Sequence, residues 1–261
     1  LAVPLFVIWK RVDFTVAIKT KDKKKFLLNA DHVISLTNAA VKEMGNFKYL
    51  EDYNLQITII PTCADLNRFK PIKSNKKENF TLGYLGTAGT WYLFNRTVES
   101  FAALLDINPT ARILIINRGE HEYIKKCLIS GSIPQSSVDL ISADHSEVPK
   151  LISQMDASIF FIKPSFSKQS SAPTKLAELL GCGIPCLVNS GVGDMAQIVN
   201  SEKVGVALEK FEDYELRNGL IKLISLTKEK DIEKRCIEAA HKFFSLEDGV
   251  LKYKKIYKEL I

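Results

Sequence analysis

Ser170-Ser171-Ala172-Pro173-Thr174-Lys175-Leu176-Ala177-Glu178-Leu179-Leu180-Gly181-Cys182-Gly183-Ile184-Pro185 runs straight into the apolar segment Cys186-Leu187-Val188-Asn189. It reads as a polar loop, a helix carrying one carboxylate, a glycine-marked stop and a buried strand. The same alternation fills the chain from residue 80 onward. Strand 80–86 leads to helix 95–107, strand 112–117 to helix 120–129, and strand 138–142 to helix 146–154. Strand 157–162 leads to the helix just quoted, strand 185–189 to helix 193–200, and strand 204–208 to helices near 211–226 and 229–244. Short apolar strands alternating with helices predict an α/β fold, a parallel sheet with helices on both faces.

Before residue 80 the pattern is sparser. Apolar spacing predicts a helix over 14–28, a strand at 31–37 and a helix from Asn38 to Gly45 capped by Thr37 or Asn38. A strand at 55–60 is stopped by Pro61, and the polar, aperiodic residues 70–79 read as a linker. An amphipathic helix over 247–261 closes the chain. The apolar start, Leu1 to Trp9, is too short to span a bilayer and has no basic region ahead of it, unlike a signal peptide. With no initiator methionine, the chain is expected to start inside a longer protein.

The 261 residues are 46% apolar and 25% charged, ordinary for a globular protein. The net charge of +6 is concentrated at Lys19, Lys21, Lys23, Lys24 and Lys25 and again at Lys252, Lys254, Lys255 and Lys258. Such clusters are either solvated faces or a means of contact with an anionic membrane surface or a polyanionic substrate. No aromatic residue interleaves with the first cluster and the second holds just Tyr253 and Tyr257, a pattern that speaks against nucleic acid. The five cysteines show no CxxC spacing, so neither a disulfide framework nor a zinc site is supported, and a reducing cytoplasm fits. No Asp-x-Asp pair is present, and neither a metal nor a cofactor is expected.

Ligands of parallel sheets sit beyond the carboxyl ends of the strands, near a topological switch point. Gly86-Thr87-Ala88-Gly89-Thr90-Trp91 lets backbone approach an anion, or is simply a tight turn. It has neither the lysine of a Walker loop nor GxGxxG spacing. In Asn117-Arg118-Gly119-Glu120, Arg118 can hold a diphosphate with its guanidinium fork, or pair with Glu120 or Glu122. In Ser142-Ala143-Asp144-His145-Ser146, the backbone of Ser142 and Ala143 can read a base edge. Asp144 or Ser146 is expected to cap the next helix, with His145 an exposed first-turn residue and not a catalytic base. The start of the opening helix offers unpaired N–H groups and its dipole to a phosphate, and Lys175 adds a cation. Glu178 suits a neighbouring ribose, whose hydroxyls it can accept, or else pairs with Lys175 at the surface. Gly191 and Gly193 allow close backbone approach, and Asp194 is placed to cap the helix that follows them.

Four segments in this order resemble the donor-binding, carboxy-terminal half of GT-B glycosyltransferases of retaining family 4. They are Ala30-Asp31-His32-Val33-Ile34-Ser35-Leu36-Thr37, the Ile59–Pro71 segment, the opening motif with Gly191–Asp194, and Lys252-Tyr253-Lys254-Lys255-Ile256-Tyr257. The resemblance implies a GT-B type Rossmann-like domain over 71–246, a partial second Rossmann-like domain over 1–70 that belongs to the acceptor side, and a helix over 247–261 crossing back to it. It implies a nucleotide-sugar donor held by Gly86, Thr87, Ala88, Gly89, Arg118, Ser142, Ala143, Ser170, Ser171, Ala172, Pro173 and Thr174, with Lys175 and Glu178 in catalytic roles. Glu178 matches the second glutamate of the family's E-x7-E motif, which holds the ribose. Ser170 stands where the first glutamate would fall, and Thr87 where the family has an arginine. Lys175, Arg118 and backbone N–H groups near 173–175 are then expected to neutralise the leaving diphosphate. The implied activity is retaining, metal-independent transfer of a sugar to a surface polysaccharide or glycolipid acceptor, in the cytoplasm and with peripheral contact at the inner membrane face. A GT-B nucleotide-sugar 2-epimerase and a non-catalytic nucleotide-binding module are the alternatives.

Overall fold

The computed structural model describes residues 5–8, 23–73 and 78–260. Residues 14–22 of the helix expected over 14–28, with Lys19 and Lys21, and the linker residues 74–77 lie outside the described residues, as do residues 1–4 and Trp9 of the apolar start.

The first part of the chain contains β1 (Leu5–Ile8), α1 (Lys23–Leu28), β2 (His32–Ser35), α2 (Asn38–Met44) and β3 (Ile57–Ile59). The strands form one sheet in the order β1-β2-β3. β2 and β3 are parallel, with Val33 opposite Ile57, whereas β1 runs antiparallel to β2, with Leu5 opposite Ser35. The apolar start therefore supplies an antiparallel edge strand that its composition alone did not reveal. Thr37 caps α2 from an extended backbone, its Oγ1 accepting from Ala40 N at 3.1 Å.

The larger part follows the expected alternation. It comprises β4 (Thr81–Leu85), α3 (Phe94–Ile107), β5 (Arg112–Ile116), α4 (His121–Ser130), β6 (Val138–Ile141), α5 (Val148–Ile152) and β7 (Ala157–Ile159). Then come α6 (Thr174–Gly181), β8 (Cys186–Asn189), α7 (Met195–Ser201), β9 (Gly205–Leu208), α8 (Asp213–Leu226), α9 (Ile232–Phe244) and α10 (Leu246–Leu260). The six strands form a wholly parallel sheet in the order β6-β5-β4-β7-β8-β9. From β4 the chain winds outward through β5 and β6, then returns to β7 on the other side of β4. The switch point lies between β4 and β7, where a crevice opens beyond the strand ends.

Helices on both faces explain why β4, β7 and β8 are buried along their whole length. Phe94, Phe101, Phe160 and Phe161 fill the core beside Tyr84. α6 buries Leu176, Ala177, Leu179 and Leu180 and packs along α9. It ends where Gly183, at φ +81°, turns the chain and Ile184 N donates back to Leu179 O. The last helix reaches the small sheet: Ile256 of α10 is buried with Ile34 and Ile60.

Candidate active site

The loops after β4 and β7 meet across the switch point. Tyr92 and Ile162 form an isolated antiparallel bridge, Leu93 N donates to Phe161 O at 2.9 Å, and Lys163 N donates to Trp91 O at 2.8 Å. Two segments 70 residues apart in sequence are thereby locked into one rim.

The Gly86–Gly89 loop is rigid. Gly86 sits at φ +94°, a conformation that favours glycine, and its N–H donates to Ile116 O at 2.9 Å. The Tyr84 hydroxyl donates to Thr87 O at 2.6 Å, and Asn117 Nδ2 to Gly86 O at 3.0 Å. Glu120 accepts from the N–H groups of Ala88 at 2.7 Å and Gly89 at 2.9 Å, and from Asn117 Nδ2 at 3.0 Å. Two loop N–H groups expected to face a donor diphosphate are thus already held by an internal carboxylate. Partial burial pushes the Glu120 carboxyl up, but these three bonds and the nearby Lys175 charge outweigh it and leave its pKa below the ordinary value. Sequence reasoning saw Glu120 only as a partner for Arg118. The signal it missed was an Asn117–Glu120 pair at a strand end, three residues apart, with Asn117 Oδ1 accepting from the N–H groups of Gly119 and Glu120.

Pro173 occupies the N-cap position of α6 and carries no N–H, so the first free donors of the helix belong to Thr174 and Lys175. The Lys175 side chain does not run out to solvent. Its Nζ lies 3.7 Å from the Tyr92 ring centroid, 5.2 Å from that of Tyr84 and 5.4 Å from that of Phe160. It is buried without a hydrogen-bond partner. A Cβ placed on Gly86 would stand 3.2 Å from this Nζ, so the amine rests directly under the first loop. Burial lowers the Lys175 pKa to about 7, with Glu178 and Glu120 pulling partly back.

Glu178 is not the surface carboxylate paired with Lys175 that one alternative required. Its side chain is 14% exposed, and its Oε1 lies 3.6 Å from His145 Nε2. Burial raises its pKa, opposed by His145, Lys175 and Arg68. The His145 ring, edge-on to Phe69 at 5.4 Å, is exposed, as expected, and meets the site through this contact. Ser142 is exposed and Ala143 half-buried beside it.

The other expected donor contacts lie further out or are engaged. Arg118 pairs with neither Glu120 nor Glu122; it reaches Asp144 at 3.0 Å with both side chains well exposed. Ser170 is buried, and its hydroxyl donates to Ser167 O at 3.0 Å. Ser171, Ala172 and Pro173 are half-buried and Thr174 exposed, lining one open cavity of about 330 Å³ with Trp91, Tyr92 and Lys168.

One capping expectation is corrected and a second qualified. Neither Asp144 nor Ser146 caps α5: Glu147 holds that position, and its carboxylate accepts instead from Asp144 N at 3.0 Å. Asp194 occupies the N-cap position of α7, as expected, but its side chain makes no cap bond to that helix. Its carboxylate crosses to α2, accepting from Asn38 N at 2.6 Å and Ala39 N at 2.9 Å. Thr37 Oγ1 adds a donor bond to Gln169 O at 2.6 Å. Among the described residues, no three His, Cys, Asp or Glu side chains are grouped so as to hold a metal ion.

The family profile described as glycosyl transferases group 1 matches residues 66–243. No curated protein shows a significant match to the sequence. Among solved structures, sucrose-phosphate synthase from Thermosynechococcus elongatus matches with a TM-score of 0.70 at 17% identity, over 93% of this chain and 64% of that one. A glycosyltransferase from Rickettsia africae matches with a TM-score of 0.71 at 16% identity, over 93% of this chain and 68% of that one. Anabaena HepE, solved in complex with UDP and glucose, matches with a TM-score of 0.66 at 15% identity, over 89% and 64%. The chain thus spans about two thirds of the length of each of these proteins. At these identities the likeness speaks for the fold alone. Among the described residues, no helix is long and apolar enough to cross a membrane.

Proposed function

The chain belongs to the group 1 glycosyl transferases and has the GT-B type of fold, and on that premise we propose that it is the donor-binding half of a retaining glycosyltransferase. The donor is a nucleoside diphosphate sugar, and the acceptor a surface polysaccharide or a glycolipid. The observation that carries this is Lys175. A buried amine without a hydrogen-bond partner, at the start of α6 and directly beneath Gly86, is costly unless an anion completes it. A diphosphate at the mouth of the β4–β7 crevice would meet the Thr174 and Lys175 N–H groups and the helix dipole while neutralising that amine.

Glu178, one turn further along α6, then receives the ribose hydroxyls, and the backbone of exposed Ser142 and half-buried Ala143 faces the base. Charge on the leaving group is met by Lys175 and backbone dipoles, in line with a sequence that lacks an Asp-x-Asp pair. Lys252, Lys254, Lys255 and Lys258 on α10 support peripheral contact with an anionic membrane surface. Calorimetric titration of the folded chain with UDP and with GDP tests the proposal. One of them is expected to bind with a single stoichiometric site; a folded chain that binds neither would overturn it.

A further inference from the structure

One feature of the crevice is not used by the diphosphate or the ribose. The 330 Å³ cavity at the start of α6 is at the lower end of ligand-site volumes, about 300–1,000 Å³, and is walled by Trp91, Tyr92, Ala172 and Pro173. Trp91 is 44% exposed, a large flat apolar surface left open to solvent. Lys168 Nζ stands 4.4 Å from the indole centroid and is the only charged side chain in the lining; no acidic residue belongs to it. Among the described residues the Lys168 amine has no carboxylate partner within 4.0 Å.

Both side chains are held by fixed backbone. Trp91 follows Thr90, itself at φ +59°, and its carbonyl accepts from Lys163 N at 2.8 Å. Lys168 N donates to Ser165 O at 2.9 Å, and Lys168 O accepts from Gly193 N at 2.8 Å and Ser171 N at 3.1 Å. The pair is therefore presented, not merely tethered. An indole suits the apolar face of a pyranose ring, and a cation held 4.4 Å from the indole centroid suits an anion on that ring. A neutral sugar would leave the cation uncompensated and would meet no carboxylate to grip its hydroxyls.

We propose that the Trp91–Lys168 pair forms a subsite for an acidic pyranose, a sugar ring bearing a carboxylate, at the junction of donor and acceptor. This rests on the donor-binding role proposed above. The carboxylate can arrive on the transferred sugar or on the acceptor glycan, and the two sources are separable by experiment. Calorimetry would compare UDP-glucuronate with UDP-glucose and GDP-mannuronate with GDP-mannose. A second arm would compare an oligosaccharide of alternating glucuronate and N-acetylglucosamine with the same oligosaccharide after reduction of its carboxylates. UDP and GDP alone serve as reference ligands.

In one arm the acidic ligand is expected to bind about tenfold tighter than its neutral counterpart. Lys168→Met, which keeps the stem over the indole, removes that preference, Lys168→Arg restores part of it, and the affinity for UDP or GDP alone is unchanged. Trp91→Ala weakens acidic and neutral sugars alike. Equal affinities within every pair, no binding in any arm, or a preference that survives Lys168→Met would overturn the proposal. Nucleotides that bind while no pair in either arm shows an acidic preference would sink this subsite alone, whereas failure of UDP and GDP to bind would sink the donor role, with the oligosaccharide arm still deciding the subsite.

Discussion

Glu120 Oε2 lies 2.7 Å from the backbone nitrogen of Ala88, and its Oε1 lies 2.9 Å from that of Gly89. The carboxylate fills the N–H cradle of a glycine loop at the end of β4, as an anionic ligand would. Under the proposed donor role, a diphosphate would thereby be directed toward Lys175 and the start of α6. Glu120→Ala leaves both N–H groups without their acceptor and is expected to destabilise the fold by about 1–3 kcal/mol in urea unfolding. An unchanged midpoint would show that water replaces the carboxylate at no cost.

The same contact predicts an acid limb. Because the folded pKa of Glu120 is depressed, its contribution to stability is present above the unfolded value of 4.5 and is lost as pH falls through the folded pKa. The stability difference between the parent and Glu120→Gln should therefore shrink below pH 4.5. A difference that stays constant down to the lowest measurable pH would contradict this.

Lys175 acts in the opposite direction. Its folded pKa of about 7 lies below the ordinary 10.5, so the unfolded chain binds the extra proton between those values. Stability from this group is lowest below pH 7 and rises across that window. Lys175→Met is expected to raise the urea midpoint at pH 7 while weakening UDP or GDP binding at least about tenfold. A bound diphosphate holds the amine charged, so at pH 8 binding should take up about one proton. Titrations in two buffers of different ionisation enthalpy read this directly, and identical heats in both would refute it.

Much of this arrangement was legible in the sequence. Apolar runs bounded by glycine and proline located every strand of the six-stranded sheet, because strands covered on both faces need no polar alternation. The Ser170–Pro185 stretch placed α6 and its two charged residues. What the sequence hid was side-chain direction. Lys175 and Glu178 are three residues apart, a spacing that left a surface pair as one alternative, yet one side chain goes under Gly86 and the other to His145. Asp194 and Glu120 were misread for the same reason, since each sits where a local partner exists and instead bonds a segment distant in sequence.

Asp194 illustrates this and yields its own test. Its carboxylate accepts from Asn38 N at 2.6 Å, Asn38 Nδ2 at 2.9 Å and Ala39 N at 2.9 Å, joining the small sheet's helix to the large domain. Asp194→Ala is expected to cost about 1–2 kcal/mol, the range for loss of a helix cap. Hydrogen exchange should accelerate at the amides of Asn38 and Ala39 while β4 and β8 keep their protection. Uniform acceleration across both sheets would instead indicate global destabilisation.

The ribose assignment is tested by a pair of changes. Glu178→Ala should weaken nucleotide binding about tenfold or more, and a 2′-deoxynucleotide should show a similar loss on the parent chain. On Glu178→Ala the deoxynucleotide should lose little further. Additive losses would separate the carboxylate from the 2′-hydroxyl.

The most direct measurement is a crystal structure of the chain with UDP or GDP bound. It should place the ribose hydroxyls within hydrogen-bond distance of the Glu178 carboxylate, and the β-phosphate at the N–H groups of Thr174 and Lys175 with Lys175 Nζ beneath it. A nucleotide found elsewhere, or one whose phosphates displace Glu120 from Ala88 and Gly89 and leave Lys175 unpaired, would contradict the account.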